Sequence, residues 1–342
     1  MTLEENFMRR AVELARLGSG AVSTNPMVGA VIVYNGKIIG EGYHKKIGTF
    51  HAEVNAVNSV KNPELLSKSE IYVTLEPCAH FGKTPPCADL IIEKGLKKVY
   101  VGCLDPFSKV DGKGIEKLKK AGIEVVTGVL EKECQELNVR FFTFVNLKRP
   151  YVILKWAQSL DGYIDKDFSP VMISNPLTKV LNHKWRSEED AVLIGTTTAQ
   201  RDNPQLNNRL YSGKNPVRVV LDRNLRLDKK LNIFDGSQRT VVFTEKDVEN
   251  DLSETVFVTI GFNEDLARNI LNALYEMNLQ SVIIEGGKMT HELFLKSGLW
   301  DEIRIFQSDK MLYNGTKAAE FCGKLKEKTQ IGDNELLIFK KN

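Results

Sequence analysis

Three of the five histidines and two of the five cysteines in this 342-residue chain lie between residues 44 and 87. Within that stretch His51-Ala52-Glu53 opens a short helix-like run (His51 to Val60). Glu76-Pro77-Cys78 follows the apolar, strand-like run Ile71 to Leu75, and Cys87 opens a further helical run. Imidazole nitrogen and thiolate sulfur are the donors zinc prefers, and a catalytic zinc keeps three protein ligands and a fourth position for water. His51, Cys78 and Cys87 supply those three. Glu53, two residues after the histidine, is too close to be a comfortable second ligand on one helix. It is better placed as a proton shuttle beside a water whose pKa the metal lowers toward neutrality.

The order His-x-Glu, then Pro-Cys, then Cys is that of the zinc deaminases of nucleobases, whose two cysteines are separated by two residues. Here eight residues, Ala79 to Pro86, stand between them. Two prolines and a glycine make this insertion a shaped loop. It carries His80 and Lys83 next to the metal, suited to an anionic group. Cys87 at a helix start gains thiolate character from the helix dipole. A structural zinc with His80 as fourth ligand is the alternative, and the position of Glu53 argues for catalysis instead.

Patterning divides the chain in two. Helical spacing at Glu5 to Leu17 precedes an apolar run, Val28 to Tyr34. The turn Asn35-Gly36 joins that run to Lys37 to Tyr43 as a hairpin. Helix and strand signals then alternate to Val126, which predicts a three-layer α/β sandwich around one sheet. After Arg149-Pro150 the pattern restarts with eight strand-like runs and three helical ones, predicting a second α/β domain. The expected division is 1–146 and 147–342. Length agrees, since roughly 150 residues per domain gives about two.

Composition excludes several classes. Hydrophobic residues are 42% and charged residues 27%, ordinary for a globular protein, and the net charge is +3. That charge is too small to argue for nucleic acid or an anionic membrane. No apolar run reaches the roughly 18 residues of a membrane helix. The first residues are acidic without an apolar core, so no secretory signal is read. An odd, low cysteine count is expected of a reducing cytosol, hence a cytoplasmic protein with free thiols at Cys103, Cys134 and Cys322.

In the second half, Ser281 to Glu285 is a buried strand ending in Gly286-Gly287 at a helix start. Backbone amides there can approach a phosphate, although an ordinary strand-to-helix turn looks the same. No Gly-x-Gly-x-x-Gly follows a strand, so a Rossmann dinucleotide fold is not supported.

The segments Thr24-Asn25-Pro26-Met27-Val28-Gly29, His51-Ala52-Glu53-Val54-Asn55-Ala56 and Thr74 to Cys87 resemble the deaminase half of the bifunctional riboflavin-biosynthesis deaminase–reductases. The long insertion between the cysteines is the specific part. Ser159-Leu160-Asp161-Gly162, then Ala199 to Leu206, then Glu285-Gly286-Gly287 are similar to the reductase half. The resemblance implies a cytidine-deaminase-like α/β/α domain followed by a dihydrofolate-reductase-like α/β domain, with Zn2+ and NADPH as cofactors. It implies zinc on His51, Cys78 and Cys87, with Glu53 as acid/base. Deaminase substrate contacts would come from Asn25, His44, His80, Lys83 and Asp105. Cofactor contacts would come from Ala157, Thr198, Asp202, Gly287, Lys288, Met289, Thr290, His291, Glu292 and Leu293. Reductase substrate contacts would come from Lys155, Arg186, Leu206, Arg209 and Glu285.

The implied chemistry is deamination of a phosphoribosylamino-pyrimidinone, then reduction of its ribosyl group to ribityl. The implied partners are that small molecule and further copies of the chain, as a dimer or tetramer, with neither nucleic acid nor membrane. The chain departs from the family at Phe107, Pro170, Met172 and Asn203. A nucleic-acid-directed deaminase would need a basic, aromatic-lined groove, and a zinc-stabilised interaction protein would tolerate loss of Glu53.

Overall fold

The computed structural model describes residues 2–79, 81, 85–106, 112–167, 169, 171–249 and 252–341. The expected contacts His80 and Lys83, and the departures Phe107 and Pro170, lie outside the described residues. The chain divides into two compact units, Met1–Leu147 and Lys148–Asn342. Among the described residues no helix is long and apolar enough to cross a membrane.

The first unit begins with α1 (Leu3–Arg16), whose Thr2 and Glu5 form a reciprocal capping box. Then come β1 (Gly29–Tyr34), β2 (Lys37–Tyr43), α2 (Ala52–Ser59), β3 (Glu70–Leu75), α3 (Cys87–Glu93), β4 (Lys98–Cys103), α4 (Lys113–Lys120), β5 (Glu124–Thr127), α5 (Glu131–Leu137) and α6 (Val139–Leu147). The sheet order is β2-β1-β3-β4-β5, with β1 antiparallel to both its neighbours and the rest parallel. Alternation along β1 builds two cores. Ala30 and Ile32 pack with residues of α2, α3 and α4; Val31 and Val33 pack with α1 and with Cys134 of α5. The hairpin at Asn35-Gly36 forms as expected, both residues having positive φ. The two helices α5 and α6 were not expected; no turn signal separates them, and α6 is apolar over most of its length.

Glycine decides how closely α2 sits. A side chain at Gly42 of β2 would collide with the backbone of Ala52, Asn55 and Ala56, and one at Gly40 with Ala56 and Val60. The helix that carries His51 and Glu53 therefore rests directly on strand backbone.

The second unit contains β6 (Tyr151–Gln158), α7 (Pro176–Glu188), β7 (Ala191–Gly195), α8 (Thr196–Asp202), β8 (Val217–Leu221), β9 (Thr240–Thr244), β10 (Thr255–Thr259), α9 (Leu266–Glu276), β11 (Ser281–Ile284), α10 (Lys288–Ser297), β12 (Glu302–Ser308), β13 (Lys324–Ile331) and β14 (Asn334–Lys340). They form one nine-stranded sheet of order β10-β9-β8-β7-β11-β6-β12-β14-β13. The strands from β10 to β12 run parallel, while β14 is antiparallel to β12 and β13 to β14. Val152, Leu154 and Trp156 of β6 face the main core with α9 and Phe294 of α10. Lys155 lies on the opposite face of that strand. Two elements went unforeseen. Strand β13 is an exposed, charged edge with no apolar alternation, and α8 opens on three threonines, weak helix formers.

Substituting Gly42→Ala overpacks the α2–β2 contact. We expect a loss of about 1–3 kcal/mol of stability in the first unit, together with reduced zinc content. Thermal unfolding and metal analysis of the purified variant check both.

Candidate functional site

In the first unit three donors converge. His51 is the N-cap of α2, Cys87 is the first residue of α3, and Cys78 lies three residues beyond β3. The ligand atoms of His51, Cys78 and Cys87 all lie within 4.8 Å of one another. His51 Nδ1 is 3.3 Å from Cys87 Sγ and 3.7 Å from Cys78 Sγ. Tetrahedral bonds of about 2.0–2.3 Å leave ligand atoms roughly 3.5–3.8 Å apart, so the donor set fits zinc in both chemistry and size. The Cys87 N–H donates to Cys78 Sγ at 3.3 Å and orients that sulfur. Hydrogen bonding from the Cys87 thiol, and then from His51, draws Cys78 down to about 4 against the pull of burial, giving the thiolate a metal requires.

Glu53 is 3% exposed, on the first turn of the same helix as His51. Burial, and next the Cys78 thiolate, raises its carboxyl above the ordinary range. A carboxyl raised in that way takes up a proton more readily than an ordinary glutamate, as a proton shuttle requires.

Beside the donors, Asn25 Nδ2 meets His44 Nε2 at 3.1 Å, and His44 Nδ1 meets the Phe50 carbonyl at 3.1 Å. The amide must donate to Nε2, so Nδ1 carries the proton and donates to Phe50. His44 is buried, which lowers its pKa and keeps it neutral, and its ring stands edge-on to His51 at 5.6 Å. The structure thus brings Asn25, His44, His51, Glu53, Cys78 and Cys87 together.

Asp105, also buried, follows β4, and its placement exposes a residue the sequence reading left without a role. Glu76, 4% exposed, accepts from the backbone N–H groups of Gly112 (3.0 Å), Gly114 (2.9 Å), Ile115 (3.4 Å) and Asp105 (3.5 Å). One carboxylate therefore caps α4 and holds the backbone of Asp105. The partners lie 29 to 39 residues away, so no local sequence signal reveals them.

In the second unit Thr198 and Asp202 lie on α8 directly after β7, Glu285 and Gly287 follow β11, Lys155 lies within β6 and Arg186 on α7. Glu285, directly after β11, receives Arg186 of α7 in a two-pronged pair: Nε to Oε1 at 2.9 Å and Nη2 to Oε2 at 2.7 Å. Lys155 Nζ is 4.0 Å from the same carboxylate. Burial alone would raise Glu285, but the charges of Arg186 and Lys155 hold it at about 2. Burial lowers Lys155, only partly offset by Glu285. The remaining Arg186 nitrogen, Nη1, donates to the Asn207 carbonyl at 3.2 Å. The resemblance implies Arg186 as a contact to the reductase substrate, and in the structure its guanidinium fork is taken up by Glu285.

The loop with Leu206 and Arg209 is held from several sides. Leu206 is buried with positive φ, and fully buried Arg218 donates to the Gln205 carbonyl at 2.8 Å. The Arg209 N–H donates to His183 Nδ1 at 3.2 Å, while the Arg209 side chain is exposed.

The glycines after β11 let backbone approach backbone closely. A side chain at Gly286 would come within 2.9 Å of Gly195 N. Gly287 donates its N–H to Thr198 Oγ1 at 3.0 Å and begins α10 without a side-chain cap. An uncapped helix start beside backbone-only strand ends fits a phosphate-bearing dinucleotide. Of the segment Lys288 to Leu293, Met289 is exposed and Lys288 pairs with Glu292 at 3.7 Å. Thr290 is buried near Gly195, and Leu293 packs on the core. The His291 side chain is turned inward: Nε2 meets the Ile284 carbonyl at 3.0 Å and the ring packs on Trp156 at 5.1 Å. Asp202 ends α8, exposed, and Ala157 lies half-buried in β6. Asn203, in a left-handed turn, accepts through Oδ1 from Asn232 N at 2.7 Å, and Met172 is exposed.

A three-donor metal site with a buried acid in an α/β/α sandwich defines the first unit as a cytidine-deaminase-like domain. The second is a dihydrofolate-reductase-like domain. Residues 1–103 match the family described as cytidine and deoxycytidylate deaminase zinc-binding region, and residues 150–331 match the RibD C-terminal domain. The riboflavin biosynthesis protein RibD of Aquifex aeolicus is 39% identical over 358 residues, covering 99% of each chain. A solved diaminohydroxyphosphoribosylaminopyrimidine deaminase/5-amino-6-(5-phosphoribosylamino)uracil reductase from Thermotoga maritima is 38% identical with a TM-score of 0.91, covering 99% of each chain. RibD of Acinetobacter baumannii gives 32% and 0.90 over the same share. The chain belongs to the RibD family of deaminase–reductases of riboflavin biosynthesis.

Replacing Glu76 by Gln turns an amide N–H toward backbone donors. We expect a loss of about 1.5–3 kcal/mol in stability of the first unit, measured by urea unfolding, with lower deaminase turnover.

Proposed function

We propose that the first unit hydrolyses the 2-amino group of 2,5-diamino-6-(5-phosphoribosylamino)pyrimidin-4(3H)-one, and that the second reduces the resulting ribosyl group to ribityl. The observation that carries the first step is the buried Glu53 carboxyl beside the convergent His51, Cys78 and Cys87. Those three residues would hold zinc, which when bound supplies Lewis-acid activation of water. Glu53 accepts one proton of the attacking water and passes it to the ring nitrogen, then carries the second, from the newly added hydroxyl, to the amine, which leaves as ammonia as the C–N bond breaks and the carbonyl forms. Asn25, held by neutral His44, hydrogen-bonds the substrate, His44 packs beside it, and Asp105 lines the same edge. His80 and Lys83 of the insertion grip its phosphate.

In the second unit the Gly286-Gly287 turn, Thr198, Asp202, Ala157 and the first turns of α10 would hold NADPH, which when bound supplies the hydride. His291 and Leu293 contribute backbone there, since their side chains are committed to the core. Lys155, Arg186, Leu206, Arg209 and Glu285 bind the phosphoribosyl substrate in its ring-opened imine form. Glu285 keeps Lys155 placed at the sugar, and Arg186 fixes Glu285. The exposed Arg209 side chain, with its Nη1 on Asn207 Oδ1 at 2.9 Å, offers its other N–H groups to the phosphate, a task Arg186 cannot serve while it clasps Glu285. The same family membership supports a cytoplasmic homo-oligomer, a dimer or tetramer, working on a free small molecule.

Incubating the pure protein with the diamino substrate tests this reading. Ammonia release without NADPH, followed by NADPH oxidation once it is added, is expected. For Glu53→Ala, ammonia release should fall by about 10²–10⁴-fold while zinc stays bound and NADPH oxidation on the deaminated substrate persists. Full ammonia release by that variant would refute the assignment. For Lys155→Met the pattern reverses: ammonia release is retained and NADPH oxidation is lost, as read by absorbance at the nicotinamide band.

A further inference from the structure

Behind the Asn25 loop sits a buried amide with no part in the chemistry described above. Asn138, at the junction of α5 and α6, is 2% exposed. Its Nδ2 donates to the Met27 carbonyl at 2.8 Å, and its Oδ1 accepts from the Met27 N–H at 2.8 Å. The two bonds are reciprocal, so the amide orientation is fixed: turned over, it would set donor against donor and acceptor against acceptor. The two residues are 111 positions apart in sequence.

Met27 is the strategic point on that loop. Pro26 before it has no N–H to offer. Val28 after it accepts the His44 N–H at 2.9 Å. Asn25, two residues earlier, holds His44 Nε2 at 3.1 Å. The Asn138 amide therefore fixes the backbone from which both Asn25 and the His44 strand end are registered, without itself belonging to the metal-ligand cluster.

We infer that Asn138 is a positioning residue of the deaminase site, acting through Met27 to set Asn25 and His44 against the substrate. The inference rests on the reading that Asn25 contacts the pyrimidine. A residue that shapes the binding wall, and not the reacting centre, should affect KM far more than kcat.

The test uses the full-length protein carrying Asn138→Ala, with Asn138→Ser as a second variant in case the first fails to fold, and Asn25→Ala in parallel. Deaminase KM for the diamino substrate should rise about ten-fold in the Asn138 variant, the scale of losing two net hydrogen bonds. Its kcat should stay within about two-fold. Zinc content and NADPH oxidation on the deaminated substrate should match wild type. If Asn25→Ala raises KM and the Asn138 variants do not, the positioning role is wrong. If Asn25→Ala leaves KM unchanged, the reading beneath it fails as well. A fall in kcat that tracks lost zinc would show a purely structural residue and would also overturn the inference.

Discussion

The first unit depends on a coincidence of chain ends. A helix that starts on a histidine, a strand that runs out three residues before a cysteine, and a helix that starts on a cysteine all meet beyond the carboxyl end of β3, the central strand of the sheet. The three donors come from separate elements, so none can be moved without moving the element beneath it. Packing density then does the rest: α2 lies on glycine backbone at Gly40 and Gly42, where no side chain would fit. Rigid elements hold such a constellation more accurately than loops would.

In the second unit the residues that follow β7 and β11 stand beyond the carboxyl ends of the strands, where open parallel sheets generally take their ligands. Its polar centre is a buried charge cluster, Lys155, Arg186 and Glu285, in which the carboxylate is tied to both cations. Isolated, each charge would be costly to bury; together they neutralise one another in part. The two units thus reach polar sites by different means: neutral and soft donors in one, fixed ionic groups in the other.

Much of this was legible in the sequence because the relevant signals are local. His51-Ala52-Glu53, Pro77-Cys78 and Cys87 each carry their chemistry in their own residue types, and the Asn35-Gly36 turn and the apolar strands carry theirs in short-range pattern. What stayed hidden is what depends on distant pairing. Glu76 and Asn138 look unremarkable in sequence, and their partners lie 29 to 111 residues away. Arg186 was readable only as an implied substrate contact, and its commitment to Glu285, 99 residues on, was not. Strand β13 eluded pattern reading because an edge strand exposed on both faces has no apolar period to detect. His291 shows the converse: its place after the glycines is given by sequence order, while the direction of its side chain is set by tertiary packing on Trp156.

The central claim is that one chain holds two chemically independent sites, and that zinc serves only the first. The most direct measurement strips the full-length protein with a chelator and follows both reactions separately. The account predicts that ammonia release from the diamino substrate disappears and returns with one equivalent of zinc per chain, while NADPH oxidation on the deaminated substrate continues throughout. Undiminished ammonia release from the stripped protein, or loss of both activities together without unfolding, would contradict it.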